Sequence, residues 1–347
     1  MTTPTWPPAP DAAFETVQLR SEADLLTAVP FLLGFHPDPG SIVVIALHQT
    51  GIAVTIRMDL PAPGSNPDDG WTKLLGPLLE VEAQALAVIG YVSPDDLGFL
   101  LALAATAPLP VFSLLRVDGD RWWSLDHPES LDGPGQPTTP DTTMAAELLT
   151  TIGAPATSRA DLAACLQPGP RPLLDDVAQH LPIDPKPGPA DLRRALQRAH
   201  DKAADGPQAL APDQAALLLQ ALRHTAVRDT CVGWRDDAAM WLWTDLLHNA
   251  PPGWIAPPAA MLAVTAYQRG NAVLATLAAE HALTDSPGYG LACMVLAMTH
   301  ALIPPDKFRD AIDHAVQEVT RQHPDLTQDP TTADHPRHDP EEGDTDA

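Results

Sequence analysis

Lysine is scarce in this chain: Lys73, Lys186, Lys202 and Lys307 are the four present, and 20 bases in all stand against 45 acids. The formal charge of -25 repels phosphate backbones and anionic lipid, so neither nucleic acid nor a membrane surface is an expected partner. Cysteine is rarer still. Cys165, Cys231 and Cys293 lie far apart, odd in number and with no Cys-x-x-Cys pair. That excludes a disulfide framework and predicts three small buried hydrophobes. Met1 to Pro10 carries neither the basic nor the apolar region of a secretory signal, so residues 1–16 read as a loose leader and the expected location is cytoplasmic. Leu97 to Leu115 is nineteen residues without a charge, but Pro108 and Pro110 divide it. An Ala/Leu-rich helix followed by the strand-like Val111 to Leu115 explains it better than a membrane span does.

Catalytic signatures are missing too. No lysine follows a glycine as in a phosphate loop, and no G-x-G-x-x-G, G-x-S-x-G, H-E-x-x-H or EF-hand-like ladder occurs. Thirteen histidines are scattered without metal spacing, and His335 and His338 fall in an acidic tail. No metal site and no cofactor is expected.

What is present is enough for two packed units. A chain of 347 residues, 45% hydrophobic, exceeds the usual size of one core, and its 39 prolines predict many helix stops. Ser21, followed three residues later by Asp24, opens an apolar helix through Leu25, Leu26, Val29, Leu32 and Leu33 that ends near Gly34. Ile42 to Leu47 reads as a central strand, and Ile52 to Asp59 alternates as its hairpin partner. A helix around Trp71 to Ala83, a strand Leu86 to Val92, a helix from Ser93 to Ala105 and a strand Val111 to Val117 follow. Asp118-Gly119 then turns the chain into Trp122 and Trp123. This order predicts an α/β domain, a mixed sheet with hairpins and covering helices, over residues 17–135.

From Asp141 onward strand signals vanish and helix caps recur, so residues 136–322 read as an all-α domain. Within it, Ala263, Ala266, Gly270, Ala275, Ala282 and Pro287 stand at the offsets of a tetratricopeptide-like helical hairpin near 257–303. One unit cannot bury its own faces and must stack on flanking helices. Residues 323–347 hold eight acids against Arg337 and almost nothing apolar, the composition of a disordered, solubilising tail.

The run from Leu19 to Pro37, L-R-S-E-A-D-L-L-T-A-V-P-F-L-L-G-F-H-P, resembles the opening of an actinobacterial family classed only as a domain of unknown function. Similar matches are Arg57-Met58-Asp59-Leu60-Pro61, Arg121-Trp122-Trp123-Ser124, Val227-Arg228-Asp229, Leu242 to Leu246, Ala250-Pro251-Pro252 and Arg269-Gly270-Asn271, a coverage from Val17 to Pro305. The resemblance brings no activity with it. The family's pattern has cysteines after the Trp-Ser pair, near a Cys-Pro and glycine-bearing turn. Leu125 to Gly133 has none here, so any metal or cross-link they serve elsewhere is lost.

The densest polar constellation follows from the first hairpin. With Leu47 opposite Ile52 and no bulge, Ile42 falls opposite Arg57 and Gly40 opposite Asp59. The loop His36 to Ser41 then meets a polar face, and His36, Asp38, Ser41, Arg57 and Asp59 become the candidate ligand-binding residues. His36 can act there as an acid or base oriented by an Asp, and Arg57 can hold an anionic group. The plainer reading is an ion pair of Arg57 with Asp38 or Asp59 that clips the loop to the sheet. Trp234, Trp241 and Trp243, placed on one predicted helix, are candidate interface residues, with core packing or docking of the two halves as the alternative. Arg193, Arg194 and Arg198 make a basic stripe beside Asp191 and Asp201, read as a solvated, salt-bridged face rather than an anion site.

Two classes of function stay open, and the missing catalytic signatures favour the first, with the second as the alternative. One is a non-catalytic interaction or regulatory module that docks another protein through the helical half. The other is a small-molecule-binding protein or enzyme using a cleft near the first hairpin.

Overall fold

The computed structural model of the chain describes residues 19–49, 51–126, 133–151, 153–206 and 209–326. The leader, most of the acidic tail and the centre of the stretch after the Trp-Ser pair therefore lie outside the described residues.

The first helix, α1 (Glu22–Leu33), is fixed at both ends by its sequence. Ser21 Oγ accepts from the Asp24 N–H and the Asp24 carboxylate accepts from the Ser21 N–H, each at 3.1 Å. Gly34 ends the helix at φ 79°, a conformation that costs a residue without Cβ little. There follow β1 (Ser41–His48), β2 (Gly51–Asp59), α2 (Pro67–Glu80), β3 (Ala85–Tyr91), α3 (Leu97–Ala105), β4 (Val111–Asp118), β5 (Arg121–Ser124) and β6 (Gln136–Pro137). The second helix opens at Pro67 rather than near Trp71, because Asn66 takes the Asp68 N–H and proline fits the first helical position.

The six strands form one mixed sheet in the order β2-β1-β3-β4-β5-β6. β3 and β4 are parallel and the other pairs antiparallel. Its inner strands are buried on both faces. Val43, Ile45, Ala87, Ile89 and Leu115 face Leu25, Val29 and Leu33 of α1. Ile42, Val44, Ala46, Leu86 and Val88 face Trp71 and Leu78 of α2 and Leu100 and Leu103 of α3. The uncharged run from Leu97 is thus a covering helix and a core strand, and among the described residues no helix is long and apolar enough to cross a membrane.

The hairpin register differs from the bulge-free ladder. Leu47 does face Ile52, but Ala46 faces Val54, so Ala53 is an extra residue on β2. The pairing beyond it moves by one: Val43 faces Arg57, Ile42 faces Met58 and Ser41 faces Asp59. The bulge also splits the apolar set of β2, sending Ile52 to the α1 side while Val54, Ile56 and Met58 go to the other.

The rest is helical: α4 (Thr142–Thr151), α5 (Arg159–Ala164), α6 (Arg171–Gln179), α7 (Pro189–Ala204), α8 (Pro212–Leu222), α9 (Thr225–Asp229), α10 (Asp237–Asn249), α11 (Ala256–Gln268), α12 (Ala272–Asp285), α13 (Gly290–His300) and α14 (Pro305–Gln322). α4 packs on α1 through Met144 and Leu148 against Ala28, so the chain stays with the sheet unit past β6. α11 and α12 make the helical hairpin, turning at Arg269-Gly270-Asn271 with Gly270 at φ 79° and the Asn271 side chain accepting from the Leu274 N–H. The small residues Ala263, Ala266, Ala275 and Ala282 are fully buried. All of α11 is buried, enclosed by α8, α10, α12, α13 and α14. The three cysteines are free, but they are not all core residues: Cys231 is buried, Cys165 half-buried and Cys293 exposed on α13.

Candidate functional site

The loop from Gly34 to Gly40 is held at both ends by backbone hydrogen bonds. The His36 N–H donates to the Ala156 carbonyl and the Ala156 N–H to the Gly34 carbonyl, with Phe35 fully buried between them. Gly40, at φ 82°, donates to the Tyr91 carbonyl and accepts from the Leu60 N–H. The loop is thereby set against the carboxyl end of β3.

A cleft of about 660 Å³ opens at that end, between α1, the ends of β3 and β4, and the β5–β6 edge. This is within the usual range for ligand pockets, about 300–1,000 Å³. Phe31, Tyr91 and Trp122 give it aromatic walls, and Pro37, Pro39 and Pro140 stiffen its rim. Polar groups enter from separate elements: His36 from the loop, Ser93 after β3, Asp118 at the end of β4, and Thr138 and Thr139 after β6. The His36 ring is exposed. Burial pushes the Tyr91 phenol above its ordinary value, so it stays protonated. Asp118 is paired at 2.7 Å with Arg116, a buried cation that also donates to the Val92 carbonyl and lies 4.3 Å from the Trp123 ring centre.

The five expected ligand-binding residues divide into two groups. Ser41, Arg57 and Asp59 come together. Arg57 donates to Ser41 Oγ through Nε at 3.1 Å and Nη2 at 2.9 Å, and pairs with Asp59 at 2.6 Å. They do not line the cleft; they brace the first residue of β1, next to the loop that does. His36 lines the cleft without joining them, and Asp38 sits half-buried on the same loop outside the lining. Tyr91, Ser93, Asp118 and the two threonines were missed by the sequence reading. A polar residue at the carboxyl end of each parallel strand is the signal that points to Ser93 and Asp118.

The three tryptophans do not share one surface. Trp243 is fully buried and its indole N–H donates to Thr265 Oγ1 at 3.1 Å. Trp234 precedes α10, which starts only at Asp237, and stacks 5.7 Å from Trp243. Trp241 is half-buried on the wall of a second cavity. In the basic stripe, Arg194 pairs with Asp191, while Arg193 bonds Gln197 and lies over the Trp234 ring.

Residues 23–306 match the family model described as Domain of unknown function (DUF4192), and the chain belongs to that family. No curated protein and no solved structure matches it.

Proposed function

We propose that this family member is a cytoplasmic small-molecule-binding protein whose ligand occupies the cleft at the carboxyl ends of β3 and β4. One observation carries the reading: two parallel strands, a helix and a pinned loop converge on an aromatic-walled cleft whose polar groups come from four separate segments. The ligand that fits is a small organic molecule with a flat apolar body, held by Phe31, Tyr91 and Trp122, and hydrogen-bonding groups on its edge. His36 and the Tyr91 hydroxyl supply donors, and Asp118 supplies an acceptor already neutralised by Arg116. Ser41, Arg57 and Asp59 serve as positioning residues that keep β1 and the loop in register. Docking of a protein through the helical half is the weaker reading, because it rests on α11 and Trp243 and both are packed inside.

The test is native mass spectrometry of the full chain purified gently from its own kind of cell, beside His36→Ala and a cleft-filling Ala145→Phe variant. A small mass that travels with the wild type and is lost from both variants supports the reading. Retention of that mass by the filled variant, or a co-purifying protein in its place, overturns it.

A further inference from the structure

A second cavity, of about 810 Å³, lies wholly within the helical half, between α7, α8, α10 and the segment joining α5 to α6. Its walls are apolar, built from Ala195, Ala199, Leu217, Leu218, Trp241 and Leu242. Its lining also carries two cations one turn apart on α7, Arg198 and Lys202, both exposed. Among the described residues neither side chain is engaged in a hydrogen bond or an ion pair, whereas Arg194 on the same helix pairs with Asp191. In a chain with 45 acids and 20 bases, two adjacent unpaired cations beside an apolar cavity run against the overall charge. A third mark is Thr244, which lines the cavity, is buried, and has a hydroxyl with no partner. An unpaired buried hydroxyl costs free energy unless something bonds it.

We propose that this cavity binds a single amphiphile with an anionic head, its apolar body against Trp241 and the leucines and its carboxylate or phosphate on Arg198 and Lys202. Of the other polar groups of the lining, Asp245, His248 and Cys165 are already engaged, and the Gln167 and Gln214 amides are neutral. Asp245 accepts the Leu210 N–H at 3.0 Å and the Asn249 amide at 3.3 Å. His248 Nε2 lies 2.8 Å from the Cys165 carbonyl, which only accepts, so that nitrogen carries the proton. Cys165, His248 and Asp245 do not make a nucleophile set: the thiol donates to the Leu162 carbonyl, and burial pushes it up to about 11, so it stays protonated at neutral pH. The site holds its occupant and does not react with it.

Calorimetric titration of the full chain with decanoate, decyl phosphate and neutral decanol, each below its aggregation threshold, tests the proposal. One saturable site is expected for at least one anionic probe, and the tighter of the two identifies the head group. Decanol should bind roughly tenfold more weakly. R198Q/K202Q, at exposed positions that should not disturb folding, should remove that preference, and A199W should fill the cavity and abolish binding. Ala145→Phe, in the first cleft, should leave binding unchanged, which keeps the two sites apart. Decanol equal to both anions, no saturable binding, or an unchanged preference in R198Q/K202Q overturns the proposal.

Discussion

Gly90 sits in the central strand β3, where an added Cβ would come within 2.6 Å of a Leu100 methyl carbon. Leu100 is fully buried, so its side chain must shift within the core to make room. Gly90→Ala should therefore cost about 1–3 kcal/mol by overpacking, read as a lower urea midpoint with an unchanged slope. The sequence contains no sign of this contact, since it joins a strand to the helix that crosses over it. His36 was a candidate because the hairpin ladder set its loop beside Arg57 and Asp59; it lines the cleft but does not join them. The pairing of Arg57 with Asp59 was legible for a simpler reason: residues two apart on a strand share a face. That those residues brace the cleft without entering it was not legible, because it depends on how far the loop stands off the sheet.

At the scale of elements, the start of α10 shows how one side chain can join two helices. Asp236 caps α10 by accepting the Ala239 N–H at 2.9 Å, and it lies 2.9 Å from His200 Nε2 on α7. Burial alone would raise its carboxyl, but the bonds from His200 and Ala239, with Arg269 nearby, bring it below its ordinary 3.8. A carboxyl lowered in the fold stabilises fully above its unfolded value, and that stabilisation is lost as pH falls through the folded value. Asp236→Ala should cost about 1–2 kcal/mol near neutral pH, and the gap from wild type should narrow as pH falls below the ordinary carboxyl value of 3.8 through the lower folded one; urea melts at neutral pH and along an acid series check both. The pair Asp236-Asp237 was a readable cap, and reading it would have moved Trp234 off the helix. The β2 bulge was not readable, because one inserted residue leaves Ile52 to Asp59 still alternating. Only the pairing with β1 reveals the shift.

For the whole molecule, the charge of -25 is its most general property. Most of its ion pairs have at least one partly exposed partner and are individually weak, so net repulsion should dominate the response to salt. Raising sodium chloride from about 0.02 M to about 0.5 M should raise the melting temperature by a few degrees; a fall would mean that the ion pairs outweigh the repulsion. A mixed sheet followed by a helical region was legible in the change of periodicity, whereas strand order, both cavities and the packing of α4 on α1 depend on contacts between distant segments. The enclosure of α11 also bears on how the chain is made. Its apolar surface leaves the ribosome before α12, α13 and α14 exist to cover it, and Phe308 of α14 closes on Tyr267 with ring centres 4.9 Å apart. A nascent chain stopped before α12 carries α11 with much of its apolar surface uncovered, a natural client for a chaperone and a seed for aggregation, and the side that α14 closes stays open longest. Synthesis of the helical half is therefore a race that is won only when its last helix arrives.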